Sequence, residues 1–472
     1  MKHSILEQTI LQMQRAMEHK EISARELAIE YLSRIATHDC GPAGLSSMAE
    51  INPEALFIAD TLDHMRAEGR VLGPLHGIPI TLKDNIDTAD KMSTSSGSQA
   101  LACNFAREDA FVVKKLRDAG AVILGKTCLS EFAHFLTGES PHGHSSRGGQ
   151  VRNPYNPAGE TPGGSSSGSG AAVAARLCAA SVGSDTCGSI MGPTALNGLA
   201  GMRPTKGLIS CNGVIPISTT MDTTGPMARS VTDMALMLGI MAGRDEQDAT
   251  TYLSPLSCDY MEALNGTLRG KRIGVNRCGY PEKMPEEQQA FEALLRLLEE
   301  NGATLVHGTD FDIEYQPPYD IMECEFKQSL DCYLSRCQTA TPRTMADILA
   351  YNQANPKRML QYGQARMLKC HNETTGTLTD VAYLSALLRR EAEIHRLNIL
   401  YETERLDVVV SPKFTAVTAF TGFPSMSIPI GQRADAVPIG ACWMARRYDE
   451  AKLIEVTAAV ESLLGLALAP NL

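Results

Sequence analysis

The sequence predicts an α/β fold, in which one large mixed β-sheet is covered on both faces by helices. Helix-like and strand-like segments alternate several times along the 472 residues, and this alternation is typical of sheets joined by helical crossovers. The predicted strands include short apolar runs, which indicates a largely buried sheet. The chain shows neither an internal repeat nor a clean linker, so we expect a single domain over residues 1–472.

The chain begins with helices. Apolar side chains recur at helical spacing in this region, and Ser23 with Glu26 has the pattern of a capping box. The predicted helices lie at 4–19, 24–36 and about 53–68. Residues 1–68 therefore form a predicted N-terminal helical segment.

Alternating elements follow this segment. The first predicted strand, Ile78–Leu82, is apolar and ends at Lys83. Helix then strand is predicted at 109–119 and 121–127, within 171–183, at 286–300 and 302–306, and at 392–404 and 407–411. Near the end, strands at 425–430 and 437–443 precede a helix at 449–464. Residues 310–405 are more helical, and we expect them to pack over the sheet as an insertion that shapes a cleft.

Composition narrows the class of protein. The formal net charge of −11 argues against binding to a nucleic-acid backbone, which needs a basic face. No run approaches the ~18 apolar residues that a membrane-spanning helix needs. The N-terminus lacks a signal-peptide core, and the 13 cysteines are scattered without CxxC pairs. We therefore expect a cytoplasmic protein with reduced thiols.

The most informative stretch is 152–207, which contains two turns rich in glycine and serine. A serine run, GGSSSGSG, is followed by small residues that predict a short helix, Ala171–Ala180. A second turn spans Ser184–Ile190. A helix of about ten residues is only ~15 Å long, so the two turns could meet in space. Hydroxyls, free backbone amides and tight turns together indicate an acyl-transfer site.

Other interpretations of this stretch fit less well. The serine run has the composition of a flexible linker, but an ordered Ala/Val-rich segment follows it directly. Residues 164–168 match the G-x-S-x-G elbow with Ser166 at its centre, yet that elbow needs a preceding strand, which NPAGETPGG does not permit. A dinucleotide-binding fingerprint fails because Val173 stands where its third glycine belongs.

Six segments of the chain form an ordered set of motifs. They are ITLKDNI (80–86), GKTCLSEFA (125–133), GGSSSGS (163–169), GSDTCGSIM (183–191), GMRPTKGLIS (201–210) and DTTGPMARSVTDMA (222–235). Together they resemble the amidase signature family. The resemblance runs in order from about Glu21 to Glu461. Within the family, the serine run and a GSI turn without arginine are most similar to bacterial peptide amidases. The resemblance implies the amidase signature fold.

The resemblance also implies a catalytic set. Ser189 corresponds to the nucleophile, Ser165 to a bridging serine that follows a cis peptide bond, and Lys83 to the base. The residues support Lys83 independently, because it ends an apolar strand and burial lowers the pKa of a lysine towards the range of a general base. The expected oxyanion donors are the backbone N–H groups of Thr186, Cys187, Gly188 and Ser189.

Two residues depart from the family pattern. Cys187 stands where most members have glycine, and Met191 stands where most have arginine. The missing arginine leaves Asp185 without its usual partner, and Arg203 is the candidate replacement. Cys187 has no neighbouring base in the sequence, so we do not expect it to be a nucleophile.

The loop from His134 to Arg147 is expected to border the pocket beside Ser189. Its HxH pair, His142 and His144, lies close to Glu139, but the spacing matches no standard zinc site and the segment is punctuated by Gly and Pro. We therefore expect no metal, and place both histidines in a loop at the mouth of the cleft. The small polar side chains of 137–144 could hydrogen-bond a peptide backbone.

The sequence thus predicts a cofactor-free amidohydrolase that cleaves a carboxamide, with a peptide C-terminal amide as the first substrate class. A small aliphatic or aryl amide hydrolase remains an alternative. Another is an amidotransferase A-type subunit that works with partner chains and tRNA. The intact Lys83, Ser165 and Ser189 set argues against a non-enzymatic scaffold. We expect a monomer or homodimer that binds neither nucleic acid nor membrane.

Overall fold

In the part of the chain that the structure describes, the strands form one mixed sheet of eleven strands and a separate two-stranded antiparallel pair. The computed structural model describes residues 5–255, 259–278, 284–313, 316–338 and 342–472. The strands are β1 (Met48–Ile51), β2 (Pro79–Lys83), β3 (Val122–Thr127), β4 (His144–Ser145), β5 (Gly149–Gln150), β6 (Ala180–Asp185), β7 (Ala200–Arg203), β8 (Thr223–Ala228), β9 (Arg272–Val275), β10 (Thr304–Val306), β11 (Val408–Ser411), β12 (Ser425–Gln432) and β13 (Pro438–Met444).

Helices flank the sheet and connect its strands. They are α1 (Ile10–Glu18), α2 (Ala24–His38), α3 (Ala55–Ala67), α4 (Phe111–Asp118), α5 (Glu131–His134), α6 (Ser167–Ala174), α7 (Met191–Leu196), α8 (Val231–Met241), α9 (Pro285–Glu300), α10 (Gln316–Arg336), α11 (Met345–Ala354), α12 (Pro356–Met359), α13 (Ala365–Glu373), α14 (Val381–Thr403), α15 (Ala416–Thr421) and α16 (Glu450–Leu464). The predicted fold class, an α/β fold with a large mixed sheet, is confirmed.

The order of strands brings the ends of β2 and β6 together. Across the sheet the order is β1-β3-β2-β6-β8-β7-β12-β13-β11-β9-β10. β2 lies between β3 and β6 and runs parallel to both, whereas β6 and β8 are antiparallel. Because adjacent parallel strands end at the same edge of a sheet, Lys83 and Asp185 lie on that edge, where α/β folds commonly carry their sites.

The N-terminal segment, predicted to be helical over 1–68, differs from the prediction at its start and at β1 (Met48–Ile51), a strand that pairs with β3. A short 3₁₀ turn occupies Ile5–Glu7, and α1 begins after a cap at Thr9; residue 4 of the predicted helix lies outside the described residues. The Ser23–Glu26 capping box is confirmed, since the Ser23 hydroxyl accepts from the Glu26 N–H and the Glu26 carboxylate accepts from the Ser23 N–H.

The prediction of a helix over Ala171–Ala180 is wrong in its bounds. The helix, α6, begins inside the serine run at Ser167 and ends at Ala174. Residues Ala180–Asp185 form strand β6, which is fully buried between β2 and β8. Alanine favours helices by itself, but pairing with two distant strands outweighs this local preference.

The part of residues 310–405 that the structure describes is helical from α10 to α14. Residues 314–315 and 339–341 of this predicted insertion lie outside the described residues. Its apolar side chains, together with parts of α15 and the 132–136 segment, form a second hydrophobic cluster beside the main core. The single-domain organisation stays a prediction. Among the described residues, no helix has the length and apolar character needed to cross a membrane.

Candidate active site

Lys83 lies at the end of β2 and is fully buried. Its Nζ donates to the Ser165 hydroxyl at 2.7 Å, to the Ser184 hydroxyl at 2.9 Å and to the Ser184 carbonyl at 3.1 Å. All three acceptors are neutral oxygens. Burial therefore lowers the pKa of Lys83 to about 7, although the charges of Asp185 and Asp222 oppose this effect.

The structure brings the two glycine-serine turns together. The Ser166 N–H donates to the Ser189 carbonyl at 3.1 Å, and the Ser166 hydroxyl donates to the Ser184 carbonyl at 3.0 Å. The Gly164–Ser165 peptide bond is cis. Ser165 and Ser189 line the same pocket, and Lys83 contacts it through Ser165. The three residues that the sequence singled out thus converge on one place.

Asp185 anchors the second turn. One carboxylate oxygen accepts the Gly188 N–H at 2.8 Å and the other accepts the Ile190 N–H at 2.6 Å. Arg203 donates to the same carboxylate at 2.8 Å, and both side chains are fully buried. Arg203 also donates to the Met221 carbonyl at 2.6 Å. Arg203, the candidate partner of Asp185, thus forms a buried ion pair with it.

The backbone N–H groups of this turn differ in what they contact. The Gly188 N–H is already engaged by Asp185, so it is the least available of the four predicted oxyanion donors. The Thr186 side chain is held by Asp222, whose carboxylate accepts its hydroxyl at 2.6 Å. Burial and the Asp185 charge raise the pKa of Cys187 to about 12. A thiol with so high a pKa is a poor nucleophile at neutral pH.

The pocket in front of Ser189 has a volume of about 340 Å³. Besides the two turns, it is lined by side chains from the 133–142 loop, from α10 and α13, and from the segment after β11. Sequence reasoning missed four of these, Tyr319, Met322, Arg366 and Phe414. The spacing of Tyr319 and Met322 places them on one helix face, but no sequence signal relates that face to Ser189.

Arg366 brings a positive charge to the pocket wall. Its guanidinium lies 5.3 Å from the Phe135 ring centroid and 5.0 Å from that of Tyr319. It also donates to the His134 carbonyl at 3.0 Å. These contacts fix the guanidinium beside the pocket by cation–π attraction and a hydrogen bond.

The 134–147 loop borders the pocket only in part. His134 and His142 line it, with ring centroids 4.5 Å apart, and burial lowers the pKa of His142 to about 4. The expectation for His144 is wrong, because it lies in β4 and packs edge-on against Tyr362. Thr137 and Ser140 line the same neighbouring crevice as His144. Tyr362 and its neighbours in the helical segment 310–405 line the other side of this crevice, so these side chains face that segment.

Size alone does not identify the site. A larger cavity of about 530 Å³ lies on the far side of Asp222 and is lined by neither Ser165 nor Ser189. The smaller pocket is the one lined by Ser165 and Ser189, and its Ser165 hydroxyl contacts the buried Lys83 amine. Among the described residues, no group of three or more His, Cys, Asp or Glu side chains could hold a metal ion.

Comparison with known proteins agrees with this geometry. The family model described as Amidase matches residues 26–419. The chain belongs to the amidase family. It is therefore a hydrolase of amide bonds. A probable amidase of Arabidopsis thaliana is 34% identical over 97% of this chain and 90% of its own length. The A-type subunit of the glutamyl-tRNA(Gln) amidotransferase of Halorhodospira halophila is also 34% identical, over 95% of this chain and 96% of its own.

Solved structures include a closer likeness. The native peptide amidase of Stenotrophomonas maltophilia is 38% identical and superposes with a TM-score of 0.90, covering 98% of each chain. An amidase family protein of Bacillus anthracis is 32% identical with a TM-score of 0.91, covering 99% of this chain and 93% of its own. The predicted membership of the family, with its similarity to a bacterial peptide amidase, is confirmed.

The Arg203–Asp185 pair gives a prediction for stability. Arg203→Met should lower the free energy of unfolding by about 3–5 kcal/mol, because it leaves a buried carboxylate unpaired. Urea denaturation measures this loss. The matched control is Arg277→Met, which removes an ion pair with Glu292 that is more than a third exposed. The control should cost about 0–1 kcal/mol. Equal losses in the two variants would contradict the anchoring role of Arg203.

Proposed function

We propose that the protein hydrolyses a carboxamide through an acyl-enzyme on Ser189, with Ser165 as the proton relay and Lys83 as the base. The observation that carries this proposal is the 2.7 Å separation of the buried Lys83 Nζ from the hydroxyl oxygen of Ser165, which lines the same pocket as Ser189. A charged Lys83 donates along this contact, whereas a neutral Lys83 accepts the Ser165 proton along it. A neutral lysine accepts a proton, and a Ser-Lys arrangement substitutes for a histidine-based triad in other hydrolases.

The reaction then runs in two halves. Neutral Lys83 takes the Ser165 proton as Ser165 takes the Ser189 proton, and the Ser189 oxygen attacks the amide carbon. The tetrahedral intermediate collapses, and the C–N bond breaks as the proton returns through Ser165 to the leaving nitrogen. Water then adds to the ester carbon, with its proton passed to Lys83 by the same relay. The bond between the acyl carbon and the Ser189 oxygen then breaks, and the proton on Lys83 returns through Ser165 to that oxygen. The Ser189 hydroxyl is restored, and the acid product leaves and ionises to a carboxylate.

The negative oxygen of each intermediate needs hydrogen-bond donors. We assign the N–H groups of Thr186, Cys187 and Ser189 to this role, with Gly188 as a weaker contributor because it already donates to Asp185. A well-placed donor of this kind lowers the barrier by roughly 3–4 kcal/mol. No cofactor or metal enters the proposed steps.

We propose a peptide C-terminal amide as the substrate. The 38% identity to the Stenotrophomonas maltophilia peptide amidase supports this choice. The pocket also offers polar side chains, among them Thr161, His142 and Arg366, that suit the carbonyl and N–H groups of a peptide. A small aliphatic or aryl amide would leave these groups without partners.

An amidotransferase A-type subunit is the second candidate. The 34% identity to the Halorhodospira halophila amidotransferase chain favours it. The superposition is less close, since the corresponding amidotransferase chain of Thermotoga maritima gives a TM-score of 0.72. Activity that requires glutamine and a co-purifying partner chain would select this candidate over the peptide amidase.

We propose a cytoplasmic monomer or homodimer.

Ser189→Ala should abolish hydrolysis while leaving the cooperative unfolding transition unchanged, because only one hydroxyl is lost. A fluorophosphonate probe should label Ser189 in the parent protein, as located by peptide mass spectrometry. Ser335→Ala, an exposed serine on α10, should keep full labelling and activity. Labelling at Ser166 or Cys187 would overturn the assignment of the nucleophile.

The pH profile tests Lys83. Only the neutral amine accepts a proton, so kcat/KM should rise with pH along one ionisation and level off above the pKa of about 7. Lys83→Arg should lower kcat by several orders of magnitude, because a guanidinium stays protonated. The control Lys114→Arg, on the exposed face of α4, should behave like the parent. An active Lys83→Arg variant would rule out the base role.

A comparison of kcat/KM for a blocked dipeptide amide and a long-chain fatty amide tests the substrate class. The dipeptide amide should be better by roughly a hundredfold, since polar pocket groups left unpaired cost about 1–3 kcal/mol. A short aliphatic amide serves as the third arm and should also be poorer than the dipeptide amide. Equal values, or a better fatty amide, would defeat the peptide-amide proposal and leave amide hydrolysis intact.

A further inference from the structure

A buried carboxylate outside the pocket gathers an unusual number of donors. Glu325 lies on α10 and is 1% exposed. One of its oxygens accepts the Ser218 hydroxyl at 2.5 Å and the Thr220 N–H at 3.0 Å. The other accepts the Thr220 hydroxyl at 2.5 Å and the Tyr383 hydroxyl at 2.8 Å. Three of these four donors, from Ser218 and Thr220, hold residues 218–220 against α10, and the fourth, Tyr383, comes from α14.

The segment that Glu325 holds also holds Asp222. One oxygen of Asp222 accepts the N–H groups of Ile217 and Ser218, at 2.8 Å and 2.9 Å. Its other oxygen accepts the Thr186 hydroxyl at 2.6 Å. Continuous hydrogen bonds therefore run from Glu325 through residues 217–222 to Thr186, whose backbone N–H we assigned to the oxyanion.

We propose that Glu325 is a positioning residue that fixes the donor N–H groups of the 186–189 turn through Asp222. The inference rests on the proposed function, because it concerns the oxyanion donors of that same reaction. Glu325 itself does not line the pocket. Oxyanion donors are effective only when they are held in place before the charge develops, so a shift in their support costs rate.

A carboxylate suits this task better than a neutral side chain. It accepts at both oxygens and donates at neither, and here every neighbour is a donor. The three hydroxyls can rotate, whereas the Thr220 N–H cannot and always needs an acceptor. Glutamine at position 325 keeps one acceptor for that N–H, so it should preserve part of the function. Alanine leaves all four donors without an acceptor.

A competing explanation is that Glu325 shapes only the pocket wall. The same helix carries Tyr319 and Met322, which line the pocket. A wall effect would change the binding of large substrates, and so raise KM for a peptide amide. It would leave untouched the reaction of a small probe that does not reach α10. An effect on the oxyanion donors would instead lower kcat and slow every reaction at Ser189.

The experiment compares Glu325→Ala and Glu325→Gln with the control Glu323→Gln. Glu323 lies on the same helix, but it pairs with Lys369 away from residues 217–222. Two readouts are measured in the purified full chain: kcat and KM for a dipeptide amide, and the rate at which a small methyl fluorophosphonate labels Ser189. Labelling of the parent protein first establishes the reaction on which the inference rests.

Glu325→Ala should lower both kcat and the labelling rate by about tenfold to a hundredfold, with KM changed by less than about twofold. Glu325→Gln should recover at least half of the lost activity on a logarithmic scale, and Glu323→Gln should match the parent. The inference would be overturned if the parent labels normally and the Glu325→Ala variant either labels as fast as the parent or differs only in KM. A parent that fails to label would overturn the proposed function instead.

A double-mutant cycle tests the route and covers the case in which Glu325→Ala does not fold. Thr186→Val removes the hydroxyl that Asp222 accepts but keeps the backbone N–H. Tyr383→Phe removes one donor to Glu325. The double variants combine Thr186→Val with either Glu325→Gln or Tyr383→Phe. If the contacts act in series, the fold-loss of each double variant should be smaller than the product of the fold-losses of its two single variants. Fully multiplicative losses would show that Glu325 acts elsewhere.

Discussion

The burial of one lysine amine among neutral oxygens is the constraint on which the site depends. Removing a charged ammonium from water is costly, and Lys83 meets hydroxyl and carbonyl oxygens of Ser165 and Ser184 where a carboxylate would have compensated the charge. The amine therefore loses its proton at far lower pH than a lysine in water. In the proposed mechanism, this loss of charge lets Lys83 act as the base.

The rest of the site holds that amine and its hydrogen-bond partners in place. Parallel pairing of β2 with β6 sets Lys83 beside Ser184, and the Ser166 N–H ties the serine run to the turn that carries Ser189. The buried Asp185–Arg203 ion pair also holds the turn that carries Ser189. Glu325 extends this support to α10, since it holds the 217–222 segment from more than a hundred positions further along the chain. Each support holds polar backbone groups that water would otherwise satisfy.

The parts that could be predicted from sequence are those whose information is local. The apolar run before Lys83 and the two glycine-serine turns are short patterns, and each lies where the pattern indicated. Arg203 was named only as a candidate partner of Asp185, and the structure pairs the two side chains. The bounds of α6 and β6 were missed, because small residues such as those of 171–185 suit either element and distant strands decide between them.

Other features depend on contacts that no pattern in one sequence reveals. Arg366 reaches the pocket from α13 by stacking on Phe135 and Tyr319, and Glu325 reaches residues 218–220 across 105 to 107 positions. His144 was assigned to the cleft because of its neighbour His142, yet the turn between them directs it towards Tyr362. Long-range packing, which local propensity does not encode, decided all three.

The state of Lys83 in the resting enzyme is the most direct test of this account. Selective ¹³C labelling of the lysine side chains, with Lys83→Arg used to assign the resonance, allows its Cε shift to be followed from pH 5 to 11 by NMR. We expect a single titration near the pKa of about 7, well below that of the exposed lysines. A Lys83 resonance that titrates with the exposed lysines, near ~10.4, would contradict the account.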